Sequence, residues 1–463
     1  MKKLIFILIF LYPVVAGAQQ GRNKSFPLDN VWMNVGNAGF SEGNAYSTCL
    51  AIGPADGQPY IAFSDEGYSG KARLMKFDGT RWLNVGTRGF SAVGTAYTSL
   101  AFSPVDSLPY VAFQDAAFYY DPATVMKFEG TNWVYIGSEG FSPNSADYVC
   151  IAFNPEGQPY VAFRDFSHGT SVMKLNGTNW VLVGPRQFSA GDAEYVSLAI
   201  NPSDYQPYIA YEDKANSCKA TVMKFNGFSW VNVGLAGFTA DSVWFTNISF
   251  NPVDGLPYVA FADYNSPNKA EVMKFDGTNW VNIGNSGASP GPVQWVSLAF
   301  SPTGKPCVAY ADWEDPDNRA TVREFDGTNW INVGNADFSS GQVLYASLAI
   351  RQSDSQPYLA YQDGGNSGKA TVMHYNSPVG TGELQKSRQI IYPNPSSIEI
   401  TIETSAIPTQ SHLSISNLAG QQLITRQLTE QKTQLDVSNL PSGVYFVRLT
   451  SEKAVAVGKL IKN

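Results

Sequence analysis

Histidine, cysteine and charge are all scarce in this chain, and each scarcity closes off a class of function. Only three histidines occur in 463 residues, and His168, His374 and His412 fall in three separate segments. No pair can share a metal centre or a Ser/His/Asp triad. Charged residues make up 15% of the chain, the net charge is -8, and no block of Lys and Arg occurs. A phosphate backbone finds no footprint here, so nucleic acid is not an expected partner. Beyond the first twenty residues no apolar run is long enough to span a bilayer, so no membrane span is expected in the mature chain.

The beginning of the chain is different in kind. Lys2 and Lys3 precede an apolar run from Leu4 to Val15, and Ala16, Gly17 and Ala18 follow. A basic start, a short apolar stretch and a small-residue end describe a secretory signal peptide over residues 1–18. Export permits disulfides, yet the four cysteines form no framework. Cys49 and Cys150 each stand seventeen residues after a tryptophan, where other repeats carry Ser99, Ser197, Ser297 and Ser347. Cys218 lies in a loop and Cys307 replaces a strand tyrosine, so no disulfide is expected.

What the chain does have is a repeat. Seven tryptophans, Trp32, Trp82, Trp133, Trp180, Trp230, Trp280 and Trp330, recur about fifty residues apart, and a period of that size signals a radial or stacked fold. Each unit holds four short runs rich in Val, Ile, Phe, Tyr and Thr: W-x-N-V-G, S-L-A-F, P-Y-V-A-F-x-D and A-T-V-M-K-F. Gly, Pro, Asn and Asp bound them, as they bound strands and hairpins. Four antiparallel strands repeated seven times predict a seven-bladed β-propeller over residues 30–376.

Tight turns order the strands within a blade. Asp-Gly turns join the M-K-F strand to the Trp strand, and P-x-D-G-Q-P joins S-L-A-F to P-Y-V-A-F, which makes both pairs hairpins. The Trp strand is then outermost and S-L-A-F innermost. The first Trp segment, residues 32–36, precedes any inner strand, while the last repeat ends at Asn376 without a Trp strand. The two are expected to pair and close the ring, since an open ring would expose two strand edges. The repeated indole is expected to pack on the neighbouring blade and donate its N–H at the rim.

Residues 377–389 read as a linker, and after them the strand pattern changes to that of a small immunoglobulin-like β-sandwich. Four ordered motifs mark this segment: Tyr392-Pro393-Asn394-Pro395, Asn417-Leu418-Ala419-Gly420, Leu440-Pro441-Ser442-Gly443-Val444-Tyr445, and Lys459-Leu460-Ile461-Lys462. Residues 390–463 thereby resemble the type A carboxy-terminal sorting domain of the type IX secretion system of Bacteroidetes. The resemblance implies export across the outer membrane through that machinery, removal of the domain on export, and a secreted or surface-held product. It implies nothing about the propeller's own task.

An enzyme needs one unique constellation rather than seven copies of a motif, and no catalytic residue, cofactor or metal site is assigned. The Asp that ends each second strand (Asp65, Asp115, Asp165, Asp213, Asp263, Asp312, Asp363) is repeated, and reads as a residue that caps its own loop or pairs with a following Lys such as Lys71, Lys219, Lys269 or Lys369. The acidic run Asp312 to Asp317 has no calcium-loop spacing and reads as a solvated loop. Departures from symmetry gather in the loop between second and third strands, with Phe118, Tyr119, Tyr120 and Asp121 in one repeat and Trp313 in another. Variable loops are where function concentrates.

Fifteen residues after each Trp stand Ser47, Tyr97, Tyr148, Tyr195, Phe245, Trp295 and Tyr345. Pointing into the channel, the six aromatics would form a collar able to stack on a sugar or grip a peptide. Pointing between blades they are core, the reading that repeated aromatics favour. The sequence thus describes an exported, monomeric propeller that binds or adheres to a glycan or a surface protein. A polysaccharide-acting glycosidase or lyase, with Asp121 and the 312–317 group as raw material, is the alternative, beside a purely structural surface protein.

Overall fold

The computed structural model describes residues 31–376 apart from 167–168, 265–267 and 285–286, and residues 390–463 apart from 404–410, 418–420, 429, 431 and 451–454. The signal peptide, the linker, His168 and Gly420 lie outside the described residues.

Seven four-stranded antiparallel sheets follow the predicted order. Blade one runs from the inner strand Ala45–Ile52 through Pro59–Asp65 and Lys71–Phe77 to the outer strand Trp82–Asn84. Blade seven takes its inner three strands from Val343–Arg351, Gln356–Asp363 and Lys369–Asn376, and its outer strand from Val31–Asn34. The closing register pairs Val31 with Asn376, Trp32 with Tyr375, Met33 with His374 and Asn34 with Met373. The two ends of the repeat region therefore seal the ring.

Each blade's tryptophan ties it to the blade before. The indole N–H donates across that boundary in all seven cases, from Trp32 to Val333 O at 2.7 Å, from Trp133 to Val85 O at 2.9 Å and from Trp330 to Ile283 O at 3.0 Å, for example. Six of these rings also stack on a phenyl from the connection that enters their blade, among them Phe90 on Trp133 at 3.8 Å and Phe188 on Trp230 at 3.9 Å. Trp330 meets Ala288 at the corresponding place, and there the guanidinium of Arg323 donates to the carbonyls of both Ala288 and Trp330. The glycine of W-x-N-V-G is demanded by this contact. At Gly137 the backbone has φ +74°, and a Cβ would stand 2.7 Å from the ring of Trp180.

A second ring of bonds joins the inner strands. Leu50 N–H donates to Ser347 Oγ at 2.9 Å, Leu100 N–H to Cys49 Sγ at 3.2 Å, Ile151 N–H to Ser99 Oγ at 3.1 Å and Leu298 N–H to Asn247 Oδ1 at 3.0 Å. Cys49 and Cys150 thus replace serine at one repeated bonding position, and burial raises both thiols above their usual pKa. All four cysteines are free.

The carboxy-terminal domain is a sandwich of a three-stranded and a four-stranded sheet around Ile400, Ile402, Leu413, Ile415, Leu435, Val447 and Leu460. Its first and last motifs adjoin, because Asn394 Oδ1 accepts from Ile461 N–H at 2.8 Å and Ser396 bridges Lys462. Tyr445 is buried and donates to Pro441 O at 2.7 Å.

Candidate functional site: an aromatic collar on the propeller axis

The connections entering the inner strands and the loops between second and third strands share one face of the propeller, here the loop face. Just inside it, every inner strand slips register against its neighbour at the same place, between Tyr46 and Cys49 in blade one and between Asp147 and Cys150 in blade three. Such a bulge re-aims side chains. The residue it re-aims is Ser47, Tyr97, Tyr148, Tyr195, Phe245, Trp295 or Tyr345, and all seven have φ between +49° and +56°. Left-handed backbone at non-glycine residues costs roughly 1–3 kcal/mol each and persists only where the surroundings impose it. Here neighbouring blades impose it: Thr48, Thr98 and Thr246 donate to the carbonyls of Tyr345, Ser47 and Tyr195.

The expectation of core packing holds in part, since Tyr97, Tyr148, Phe245 and Trp295 pack against the cores between blades. All seven residues line one cavity of about 610 Å³, with Trp244 and Gln294 contributing from blades five and six. Their rings also pack on one another around the mouth. Centroids are 5.1 Å apart for Tyr97 and Tyr148, 5.4 Å for Tyr148 and Tyr195, 4.9 Å for Tyr195 and Phe245, 4.9 Å for Phe245 and Trp295, and 4.5 Å for Trp295 and Tyr345. Blade one supplies Ser47 in place of a ring, and the circle is open there.

Beside the collar, charged side chains gather in blades three and four and an aromatic pair in blade five. Arg164 lies 3.5 Å from Asp147 and 2.9 Å from Asp192, and Lys214 lies 3.3 Å from Glu194 and 2.6 Å from Glu212. In blade five Trp244 packs against Tyr264 at 4.7 Å. Burial raises the hydroxyl pKa of Tyr97, Tyr148 and Tyr195, and the carboxylates Asp147, Glu194 and Glu212 respectively raise it further. These phenols stay protonated and can both donate and accept. The sequence reading missed this polar arc, although Asp147, Glu194, Trp244 and Gln294 occupy one repeat position, immediately before the collar, where the residue type changes from blade to blade.

The loop candidates behave otherwise. Tyr119 is 93% exposed, Tyr120 56% and Trp313 44%, so they stand on the loop face without lining the cavity. Arg319 holds Asp315 through a paired contact at 2.7 and 2.9 Å and lowers its pKa to about 2. The acidic 312–317 loop is therefore internally neutralised in part, and no group of three metal-binding side chains occurs among the described residues.

The repeated Asp caps its loop, as Asp65 does for Gly67 N–H at 2.9 Å and Asp213 for Ala215 N–H at 3.0 Å. Its expected exposed pairing with lysine is corrected. Asp65, Asp115, Asp165, Asp213 and Asp363 are at most 1% exposed, and each bonds a third-strand side chain, Arg73, Thr124, Ser171, Thr221 and Thr371 in turn. Asp165 also holds Arg186 through two bonds of 2.5 and 2.6 Å. In blade five the third-strand position is Glu271, whose pKa burial and the nearby Asp263 raise to about 7.

Fold and site together define an exported β-propeller with a cavity on its axis. Residues 390–463 match the family described as secretion system C-terminal sorting domain, so the route is type IX secretion and the destination the cell surface or the medium. A search of curated proteins finds no sequence match. Among solved structures the chain is similar to PorZ, an essential bacterial surface component of the type IX secretion system of Porphyromonas gingivalis, at 12% identity and TM-score 0.48, over 91% of this chain and 60% of that one. It is similar to a PL25 ulvan lyase at 12% identity and TM-score 0.47, over 74% and 96% of the two chains. It is also similar to the GH74 xyloglucanase of Xanthomonas campestris at 17% identity and TM-score 0.49, over 71% and 52%. The chain thus spans about 60% of PorZ. These likenesses assign no activity to it.

Proposed function

We propose that the propeller is a binding module whose loop-face cavity receives a neutral glycan. One observation carries the reading: six successive aromatic rings, each forced inward by a bulge with positive φ, line a single cavity. Apolar ring faces beside protonated phenols and planar polar groups suit a sugar, which presents C–H faces and hydroxyls together. The charge at the mouth supports neutrality. Among the described ion pairs beside the collar, Asp147 and Asp192 share Arg164 and Glu194 and Glu212 share Lys214, four carboxylates to two cations, so a uronate or sulfate group is expected to be disfavoured.

The enzyme reading has less support. Glycoside cleavage uses two carboxyl groups roughly 5 to 9.5 Å apart, one of them acting as acid or base. The four carboxylates beside the collar in blades three and four are each engaged by Arg164 or Lys214. A glycan array with the purified protein and its Tyr148→Ala/Trp295→Ala variant tests the proposal. Capture of neutral glycans that the variant loses supports it, with anionic glycans weak at low salt and improving as salt screens the repulsion. Equal capture by both proteins, or release of sugar from a polysaccharide without capture, overturns it.

A further inference from the structure

The collar is not a closed ring. From Tyr97 round to Tyr345 every neighbouring pair of rings is in contact, whereas blade one places Ser47 in the same bulge with the same left-handed backbone, at φ +52°. The circle of rings is therefore interrupted on one side only, and the backbone there is no different from that elsewhere. The Ser47 hydroxyl is turned into the wall, where it accepts from Tyr97 N–H at 3.2 Å. At the gap itself, immediately before Ser47 on the same strand, Tyr46 meets the edge of Tyr345 at 6.2 Å, and Asn44 donates to Glu66 at 2.8 Å. The opening is thus narrow in apolar surface and lined by groups that hydrogen-bond.

A chain laid across the mouth would have to climb over rings on at least one side. A chain end inserted along the axis, with the rest leaving over blade one, meets rings on its terminal units and polar groups on the units that follow. Resting on the glycan reading, we infer that the cavity reads the end of a neutral glycan chain and that the chain leaves through the gap at Ser47. Blade two adjoins this gap, and its loop presents Tyr119 and Tyr120, with rings 5.1 Å apart, as further exposed surface on the exit side.

The test fills the gap. Ser47→Tyr restores the residue type found in blades two, three, four and seven, so the fold is expected to accept it; circular dichroism and the thermal midpoint establish that it does. Calorimetric titration then compares wild type and S47Y against malto-, cello-, xylo- and manno-oligosaccharide series of one to six units. For the series that wild type binds, the expected result is that S47Y holds one- and two-unit ligands within about threefold and loses at least tenfold for five and six units, a difference of at least 1.4 kcal/mol at that tenfold limit. Equal loss at every length, or none at any, overturns the exit while leaving the glycan reading intact. Failure of wild type to bind any of the four series overturns both.

Discussion

At the scale of single residues, the glycine after each W-x-N-V run and the acid in blade five are the positions where the account is most exposed. Gly137 combines φ +74° with an indole 2.7 Å from where a Cβ would stand. Gly137→Ala is expected to lower stability by about 2 kcal/mol or more, since strain and clash add, read as a fall in the urea midpoint; an unchanged midpoint contradicts the packing described. Glu271 offers a signed pH effect. Burial, helped by Asp263, raises its pKa to about 7 in the folded protein, above the ordinary value of roughly 4.3 that it regains on unfolding. The folded state then holds the extra proton, so this contribution is fully present below about pH 4 and is lost as pH rises towards 7. Replacing it with the threonine of blades two, four, six and seven should raise the thermal midpoint more at pH 8 than at pH 5. A gain that is equal at both, or larger at pH 5, contradicts the assignment.

At the scale of the element, one blade is built differently at its Trp contact. Trp180 stacks on Phe141 at 4.3 Å and donates to Ile136 O at 2.7 Å, whereas Trp330 keeps the donor bond but meets Ala288 where a phenyl stands elsewhere. Trp180→Ala should cost about 3–5 kcal/mol, and Trp330→Ala less by the ~0.5–1.5 kcal/mol that a stacked pair adds, both measured by urea unfolding. The reverse order would mean that the stack is incidental. Strand order was legible in the sequence because turn chemistry is local: Asp276, for example, accepts from Thr278 and Asn279 N–H at 2.8 Å within its own hairpin. The inward aim of Tyr97 or Trp295 was left open between two readings. A bulge has no turn residue to announce it, and a period-two reading of the strand sends those rings between blades. The partner of the repeated Asp was hidden for a related reason, because Thr221 or Thr371 reads as an ordinary strand former until the third strand is laid beside the second.

At the scale of the whole molecule, the ring closes through residues some 340 apart in sequence, and that closure was legible because the first Trp segment had no blade of its own. A chain lacking residues 31–36 would leave Lys369–Asn376 as an unpaired edge and Phe338 without the Trp32 ring stacked on it at 4.2 Å. Light scattering is expected to show association at micromolar concentration; a monomer with an unaltered thermal midpoint would mean that the closing strand is dispensable. The same closed ring brings seven repeat positions around one axis, and so turns a residue of no special character in a single blade into part of a collar. The character of the groups beside the collar is not written in the repeat, since Asp147, Glu194, Trp244 and Gln294 are unrelated residues at one position. The most direct measurement of the collar's role is a crystal structure of the propeller with a neutral oligosaccharide taken from the array. Difference density for sugar rings stacked within the circle from Tyr97 to Tyr345 is the predicted result, and density confined to the opposite face or the outer rim would contradict it.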